Sequence, residues 1–338
     1  MSNCHNLFQT FNGNLNIKPA KKTNLMTSRD TLRDRIRTHF KEKHNKYTPF
    51  FKGQGSYSLG TMIRTKDDTC DLDNGVYFFP KPGETGTTLQ KWVWEAVENA
   101  TSVKPQHRQR CIRVIYANDY HIDLPVYFKL SKTDDNEKPH LAVKNSEWAL
   151  SDPKEFSLWF NEIKDANGQL IRIVRYLKAW CDNRSNKMPN GLTMTVLAAR
   201  LIEYDDRDDV CLRNTIKKIE SNLRANWSCV MPTTPNDDLL ANFSGSREYF
   251  LDSIRSLIED ADKAIESEEN QLRASKLWRK YLGSYFPEGE DRNVDKQESI
   301  LVATAASILA GKAKLNNSGQ IQENSGVSHM PHKNYGGE

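Results

Sequence analysis

In the segment Cys70-Asp71-Leu72-Asp73-Asn74-Gly75, an extended strand would send Asp71 and Asp73 out of one face and Leu72 out of the other. Two carboxylates on one face suit a hard cation. Mg2+ takes oxygen ligands and typically combines one or two carboxylates with substrate phosphates. Asp123, in His121-Ile122-Asp123-Leu124-Pro125, sits between apolar neighbours, where a carboxylate needs a compensating partner. Three carboxylates on neighbouring strands could hold two ions. One would stabilise a leaving pyrophosphate, and the other would lower the pKa of an attacking hydroxyl, with Asp123 on the hydroxyl side. The plain alternative is a solvated strand face for Asp71 and Asp73 and a backbone-bonded Asp123.

Upstream lies Gly53-Gln54-Gly55-Ser56-Tyr57-Ser58-Leu59-Gly60-Thr61. Its glycines would let backbone amides approach a phosphate, and its hydroxyls could donate to phosphate oxygens. It is not a Walker A loop, because no Gly-Lys-Ser/Thr follows. Alone it reads as an ordinary Gly/Ser turn; the combination with the acidic strand is what is specific. His121 shares the strand face of Asp123 and reads as a hydrogen-bonded neighbour, since no second His or Cys gives zinc spacing around it. Arg108, Arg110 and Arg113 form a basic strand that either attracts nucleotide or is a solvated edge. The stretch Pro235-Asn236-Asp237-Asp238-Leu239-Leu240 reads equally as a nucleotide neighbour or a helix-capping loop.

These groups need a sheet. β-Branched and aromatic residues crowd residues 71–79 and 111–128, with Asn118-Asp119 as a turn, and predict one sheet. Leu89, Trp92, Val93 and Ala96 at helical spacing predict a helix over 88–99 that packs on it, and Leu32, Ile36 and Phe40 predict another over 28–43. Residues 1 to 24 are polar and read as a loosely held lead-in. From Asp152-Pro153-Lys154-Glu155, which supplies an N-cap, an N1 proline and an N3 glutamate, the chain turns helical. Ile173, Val174, Leu177 and Trp180 continue an apolar face, and further helices are expected over 191–204, 211–225, 246–280 and 297–312. Trp92, Trp159, Trp180 and Trp278 are expected in the core. Three regions follow: 1–150 with the sheet, 151–314 as a helical domain completing the pocket, and 315–338 as a flexible tail rich in Asn, Ser, Gly and Gln.

Composition narrows the function classes. The chain has 338 residues, with 37% apolar and 27% charged, and this balance reads as a globular, water-soluble protein. The 48 Lys and Arg against 44 Asp and Glu leave a formal charge of +4, too small for wholesale nucleic-acid coating, so any anion site must be local. No basic segment leads into an apolar stretch at the start, and no apolar window spans a bilayer, so a cytoplasmic protein without membrane attachment is expected. The cysteines at 4, 70, 111, 181, 211 and 229 show no zinc spacing and read as six buried thiols.

Taken together, Gly55-Ser56 with Gly60-Thr61, Asp71-Leu72-Asp73 and Asp123 resemble the polymerase-β-like nucleotidyltransferase signature. The segment Arg175-Tyr176-Leu177-Lys178-Ala179-Trp180 extends the resemblance to the bacterial cGAS/DncV-like nucleotidyltransferases, the CD-NTases of CBASS antiphage systems. The resemblance implies an α+β fold, a polymerase-β-like sheet packed against a C-terminal helical bundle. It implies that Asp71, Asp73 and Asp123 are catalytic and hold two Mg2+ ions. It places Gln54, Gly55, Ser56, Gly60, Thr61 and Lys178 at the nucleotide, with Ser56 and Lys178 on the triphosphate. Relatives place a serine after the proline that opens the next helix; here Pro189 is followed by Asn190-Gly191-Leu192-Thr193, so Asn190 or Thr193 would donate instead.

The activity implied is synthesis of a cyclic oligonucleotide from ATP and GTP, a purine cyclic dinucleotide such as cyclic GMP-AMP or a linkage isomer. The implied product is a second messenger that activates a downstream effector. Alternatives are a template-free linear synthase of the 2-5A type and a catalytically silent nucleotide-binding regulator. Direct DNA sensing is not expected, because the His/Cys cluster of the animal cGAS insertion is lacking. The Gly336-Gly337-Glu338 end resembles substrates of ubiquitin-transfer-like enzymes, a partner weighed against a plain disordered terminus.

Overall fold

The computed structural model describes every residue except 1, 118, 135, 317, 320, 323–325 and 329–338. The chain opens with two helices, α1 (His5–Asn14) and α2 (Pro19–Lys43). Strand β1 (Phe50–Gln54) runs into the single turn α3 (Gly55–Ser58) and returns as β2 (Asp71–Phe78). Helix α4 (Gly86–Val97) follows, capped by the Thr85 hydroxyl. The remaining strands are β3 (Gln106–His107), β4 (Ile112–Tyr116), β5 (Tyr120–Leu124), β6 (Val126–Phe128), β7 (His140–Leu141) and β8 (Ala149–Leu150).

β2 is the axis of this eight-stranded mixed sheet. It pairs antiparallel with β1 on one edge and parallel with β5 and then β6 on the other. Pro125 lacks an N–H and interrupts that neighbour, yet its carbonyl still accepts from Val76 N at 2.9 Å, so β5 and β6 follow β2 in succession. β4 flanks β5 antiparallel, and β7 flanks β6 in the same sense. One apolar face of the sheet, with Leu72, Val76, Ile112, Val114, Ile122 and Leu124, is covered by Leu25, Leu32, Ile36 and Phe40 of α2 and by Leu89, Val93 and Val97 of α4. The acidic residues leave the other face. Arg33 of α2 reaches Asn74 Oδ1, fixing the helix beside the acidic end of β2.

Helices α5 (Pro153–Ile163), α6 (Gln169–Asp182), α7 (Gly191–Leu201), α8 (Asp208–Ala225), α9 (Arg247–Asp262), α10 (Gln271–Leu282) and α11 (Val294–Leu309) form the helical half. The expected start of α5 is met atom for atom: Asp152 Oδ1 accepts from Lys154 N at 3.0 Å and Glu155 N at 3.1 Å behind an N1 proline. A single helix over 246–280 is not seen. The π-helical turn Lys263–Ser267 ends the first piece, and the Asn270 side chain caps α10 as a separate helix. Trp180 and Trp278 are fully buried, and Trp92 and Trp159 are partly buried. Of the six cysteines, Cys111 and Cys181 are only partly buried, short of the burial expected for all, and every one is a free thiol. Short strands Lys314–Leu315, Ile321–Gln322 and Val327–Ser328 form a small second sheet. Residues 329–338, with the Gly-Gly-Glu end, lie outside the described residues.

The lead-in expected over 1–24 is instead structural. Helix α1 crosses into the helical core with Leu7, Phe8 and Phe11, which the low apolar density of this segment concealed. Phe8 meets Tyr176, Trp278 and Phe286 edge-on, with ring centroids 5.1, 4.9 and 4.9 Å away. Beneath it, the fully buried Asp208 accepts a fork from Arg172 at 2.7 and 2.8 Å and the Tyr176 hydroxyl at 2.9 Å, while its own N–H donates to His5 Nδ1 at 2.9 Å. These contacts hold α1, α6 and α8 together. No helix among the described residues is long and apolar enough to cross a membrane.

Because Phe8 is fully buried among aromatic rings, Phe8→Ala should destabilise the protein by about 3–5 kcal/mol in chemical denaturation. A loss under about 1 kcal/mol would show that α1 contributes little to the core.

Candidate active site

The parallel register of β2 and β5 sets Asp73 opposite Asp123 and Asp71 opposite His121. Both acidic strand positions therefore fall on one face, next to a third carboxylate one strand away. Burial, followed by the charges of Asp123 and Asp71, pushes the Asp73 carboxyl up to about 7. Two cations, Arg113 and Lys178, balance this charge in part. Arg113 on β4 donates Nε to Asp123 Oδ1 at 2.8 Å and Nη2 to Asp123 Oδ2 at 2.7 Å, and lies 3.5 Å from Asp71 Oδ2. That hydrogen-bonded fork pushes the guanidinium pKa up. His121 Nδ1 is 2.9 Å from Asp71 Oδ1.

The solvated-edge reading of the basic strand thus fails at Arg113, whose side chain is 14% exposed. Spacing alone could have found it. The antiparallel partner of Asp123 on β4 is Arg113, and the hairpin that pairs Tyr116 with Tyr120 fixes that register. Arg110 lines the same cavity, whereas Arg108 bonds Gln106 at an exposed position.

The loop comes down on the acidic strand. Gly55 holds φ at +66°, and a Cβ there would lie 2.0 Å from Asp73 Oδ2 and 2.9 Å from its Cγ, so only glycine fits. Gln54, at the end of β1 opposite Asp73, donates to the Tyr127 hydroxyl at 3.0 Å. Gly60 holds φ at +71° and returns the chain to Thr61, which is fully buried. Lys178 arrives from α6 and donates Nζ to Thr61 O at 3.2 Å and Oγ1 at 3.0 Å. Burial pulls its pKa down to about 8 against the opposing pull of Asp73. It is not the solvated lysine that helical amphipathicity alone would suggest.

A cavity of about 650 Å3 joins these groups, a size within the range of small-molecule sites. Of the residues singled out from the sequence, Gln54, Gly55, Ser56, Asp71, Asp73, Asp123 and Lys178 line it. Gly60 and Thr61 stand behind the loop as support. Asn190 and Thr193 are not among the lining residues. Asn190 is the N-cap of α7, its Oδ1 accepting from Thr193 N at 2.9 Å and Thr193 Oγ1 at 3.2 Å, and Thr193 is buried. Their neighbours Gly191, Leu192 and Thr195 line the cavity instead, and a Cβ at Gly191 would lie 3.1 Å from Lys178 Cε. Pro235 and Asp237 reach the cavity too, so that loop is more than a cap. Asp152, the cap of α5, also lines it, a second role that its capping signature hid.

The donor set suits a hard divalent cation. Three carboxylates converge where the protein supplies Arg113 and, behind the loop, Lys178. The raised Asp73 carboxyl marks a charge deficit that a cation would cancel. The lining also carries the carboxylates of Asp152, Asp182 and Asp237 with hydroxyl and amide groups, and among the described residues no histidine lines it to favour a softer ion.

Residues 49–127 match the family described as the nucleotidyltransferase domain of cyclic GMP-AMP synthase, DncV-like. A cyclic GMP-AMP synthase of Escherichia coli is 23% identical over 253 residues, which cover 60% of this chain and 58% of that protein. The chain therefore spans less than two thirds of that relative. A c-di-GMP synthase of Roseivirga ehrenbergii is 21% identical over 265 residues, 65% of this chain and 69% of that protein. Among solved structures, Vibrio cholerae DncV cyclic AMP-GMP synthase superposes with a TM-score of 0.74 at 20% identity, covering 85% of this chain and 98% of that one. The same enzyme in complex with the linear intermediate 5′ pppA(3′,5′)pG gives a TM-score of 0.70 at 22% identity, with the same coverage. The fold is that of DncV.

A carboxyl raised from 3.8 to about 7 binds its proton more tightly folded than unfolded, so it lowers stability progressively as pH rises through that interval, fully above about 7. In metal-free protein, Asp73→Asn should therefore raise the melting temperature at alkaline pH, and the gain should fade as pH falls toward 4. Thermal melts in chelator across this range check it; a gain independent of pH would contradict the crowded-carboxylate account.

Proposed function

We infer that the chain is a DncV-like nucleotidyltransferase, a CD-NTase, and acts as a cyclic dinucleotide synthase; the match of residues 49–127 to that family's model supports this reading. In this reading it joins two purine nucleoside triphosphates, ATP and GTP, with release of two pyrophosphates. The observation that carries the reading is that Asp71, Asp73, Asp123, the Gly55-Ser56 turn and Lys178 line one cavity between the sheet and the helical half. That arrangement supports a triphosphate held at one wall and a carboxylate cluster facing its α-phosphate.

Asp71, Asp73 and Asp123 would hold two Mg2+ ions. When bound, these supply charge neutralisation at the α-phosphate and pyrophosphate and a lowered pKa for the attacking ribose hydroxyl. The chain's own residues do the rest. Gly55 lets the backbone approach phosphate without a side chain, and Ser56 offers a hydroxyl donor beside it. Lys178, tethered by Thr61, presents a point charge toward the triphosphate. Asp123, adjacent to Asp73 across the strand pair, orients the acceptor hydroxyl, and Arg113 holds both Asp123 oxygens in one plane before substrate enters. The helical half closes the far wall through Leu192, Thr195 and Asp237 and excludes water from the reacting groups. Repetition with the nucleotides exchanged closes the ring. The product is read as cyclic GMP-AMP or a linkage isomer acting in the cytoplasm as a second messenger of antiphage defence. Attachment of the tail to other proteins belongs to the same family reading and concerns residues outside those described.

Incubation with labelled ATP, GTP and Mg2+, then phosphatase, should leave a resistant product of cyclic dinucleotide mass. Product that is all phosphatase-sensitive would favour linear synthesis, and no product would favour a silent binder. Asp71→Asn with Asp73→Asn should reduce synthesis by at least about a thousandfold, as expected when the group that organises the transition state is lost. Triphosphate affinity should weaken as pH rises through about 8, because only charged Lys178 attracts the anion. That dependence should flatten in Lys178→Gln, and an unchanged profile would remove Lys178 from the triphosphate.

A further inference from the structure

On the face of the sheet opposite the acidic cluster, α2 ends against α4 with two histidines and a glutamate. His39 lies near the end of α2, His44 is its C-cap, and Glu95 lies on α4. The His39 side chain is 10% exposed, and its Nε2 is 4.0 Å from Glu95 Oε2. Both Nε2 atoms, of His39 and His44, are buried without a hydrogen-bond partner. One ligand atom from each of the three residues lies within 4.8 Å of the others. Two buried imidazole nitrogens left unsatisfied in one small cluster are costly unless a further group pairs with them. The rings are also fixed. His44 stacks on Trp92 with centroids 3.7 Å apart and an interplanar angle of 17°, and His39 tilts against it at 5.5 Å.

We propose that His39, His44 and Glu95 form a site for a transition-metal dication, Zn2+ by preference, that ties the end of α2 to α4. Two imidazoles and one carboxylate make a borderline donor set that suits zinc and discriminates against Mg2+ and Ca2+. Zinc bonded to such ligands at about 2.0–2.2 Å places its donor atoms roughly 3.3 Å apart, so a triad whose atoms lie within 4.8 Å of one another has to close by up to about 1.5 Å. Glu95, 35% exposed, has room to make most of that movement. Burial lowers the pKa of both imidazoles, which favours the neutral form that a metal binds. With three protein ligands a fourth position stays open. Glu42, one turn from His39, lines the groove beside the site together with Thr38 and Lys43. The site stands apart from the synthase cavity, since none of the three residues lines it. It is therefore structural or regulatory in kind and does not supply the reaction.

The test is zinc titration of the full chain in excess Mg2+ against a chromophoric chelator, with Co2+ absorption as a second readout. Wild type should bind one equivalent at this site, show the intense visible bands of low-coordinate nitrogen-ligated cobalt, and melt at higher temperature with zinc. His44→Ala and Glu95→Gln should each weaken zinc binding at least tenfold and abolish the cobalt bands. Asp71→Asn with Asp73→Asn should leave both unchanged. Two results overturn the proposal: no zinc bound by wild type, or binding that survives His44→Ala and disappears with the Asp71 and Asp73 substitutions, which would place the ion in the acidic cluster. Because melting in the absence of zinc is recorded for each variant, a folding defect is separated from ligand loss.

Discussion

Repulsion among Asp71, Asp73 and Asp123 is the constraint on which this structure turns. The parallel pairing of β2 with β5 forces Asp73 and Asp123 to be neighbours, and strand periodicity adds Asp71 on the same face. Left alone, three carboxylates at such spacing would oppose folding. The surrounding architecture answers this with the Arg113 fork from the next strand, with His121 beside Asp71, and with an Asp73 carboxyl whose hold on its proton is strengthened. Each is a partial answer, and together they leave the site short of positive charge. A site left in that condition favours any ligand that brings cations, the requirement of chemistry on a polyanionic triphosphate.

From that constraint the remaining elements acquire their roles. The turn after β1 must pass close to Asp73, and Gly55 is there because a Cβ would collide with the carboxylate. Lys178 must cross from the helical half, and it is held by Thr61, which the positive-φ Gly60 delivers. The helical half can present that lysine only if α6 is rigid. Its inner face is therefore tied to α1 and α8 through Tyr176, Arg172 and the buried Asp208. The polar network under α1, which ends at Asn14, well ahead of the Gly53–Thr61 loop, thus bears on the position of the cavity.

How much of this was legible in the sequence follows the range of each interaction. Asp-x-Asp with its upstream glycine loop is local, and so is the Asp152 cap, and both could be read from spacing. Lys178 could be placed near the site only through family resemblance, because nothing in α6 itself tells a lysine facing a cavity from one facing solvent. Arg113 was passed over as an edge residue although the hairpin register pairs it with Asp123. Asn190 and Thr193 come to phosphate by analogy alone; in the structure the Asn190 side-chain oxygen and both Thr193 donors are taken up by the start of α7. The N-terminal helix was missed because Leu7, Phe8 and Phe11 are sparse among polar residues, and their burial is decided by partners more than 160 positions away, such as Tyr176. Likewise the break after α9 comes from a π-helical turn and an asparagine cap, which an unbroken apolar period does not announce.

The account's central claim is that the acidic cluster and the glycine turn form one triphosphate–metal site. A crystal structure with Mn2+ and a nonhydrolysable purine triphosphate tests it most directly. Anomalous peaks within ligand distance of Asp71, Asp73 and Asp123, with phosphate over Gly55-Ser56 and near Lys178, are the expected result. Manganese or nucleotide bound elsewhere, with Asp73 and Asp123 still held only by Arg113 and the loop, would contradict it.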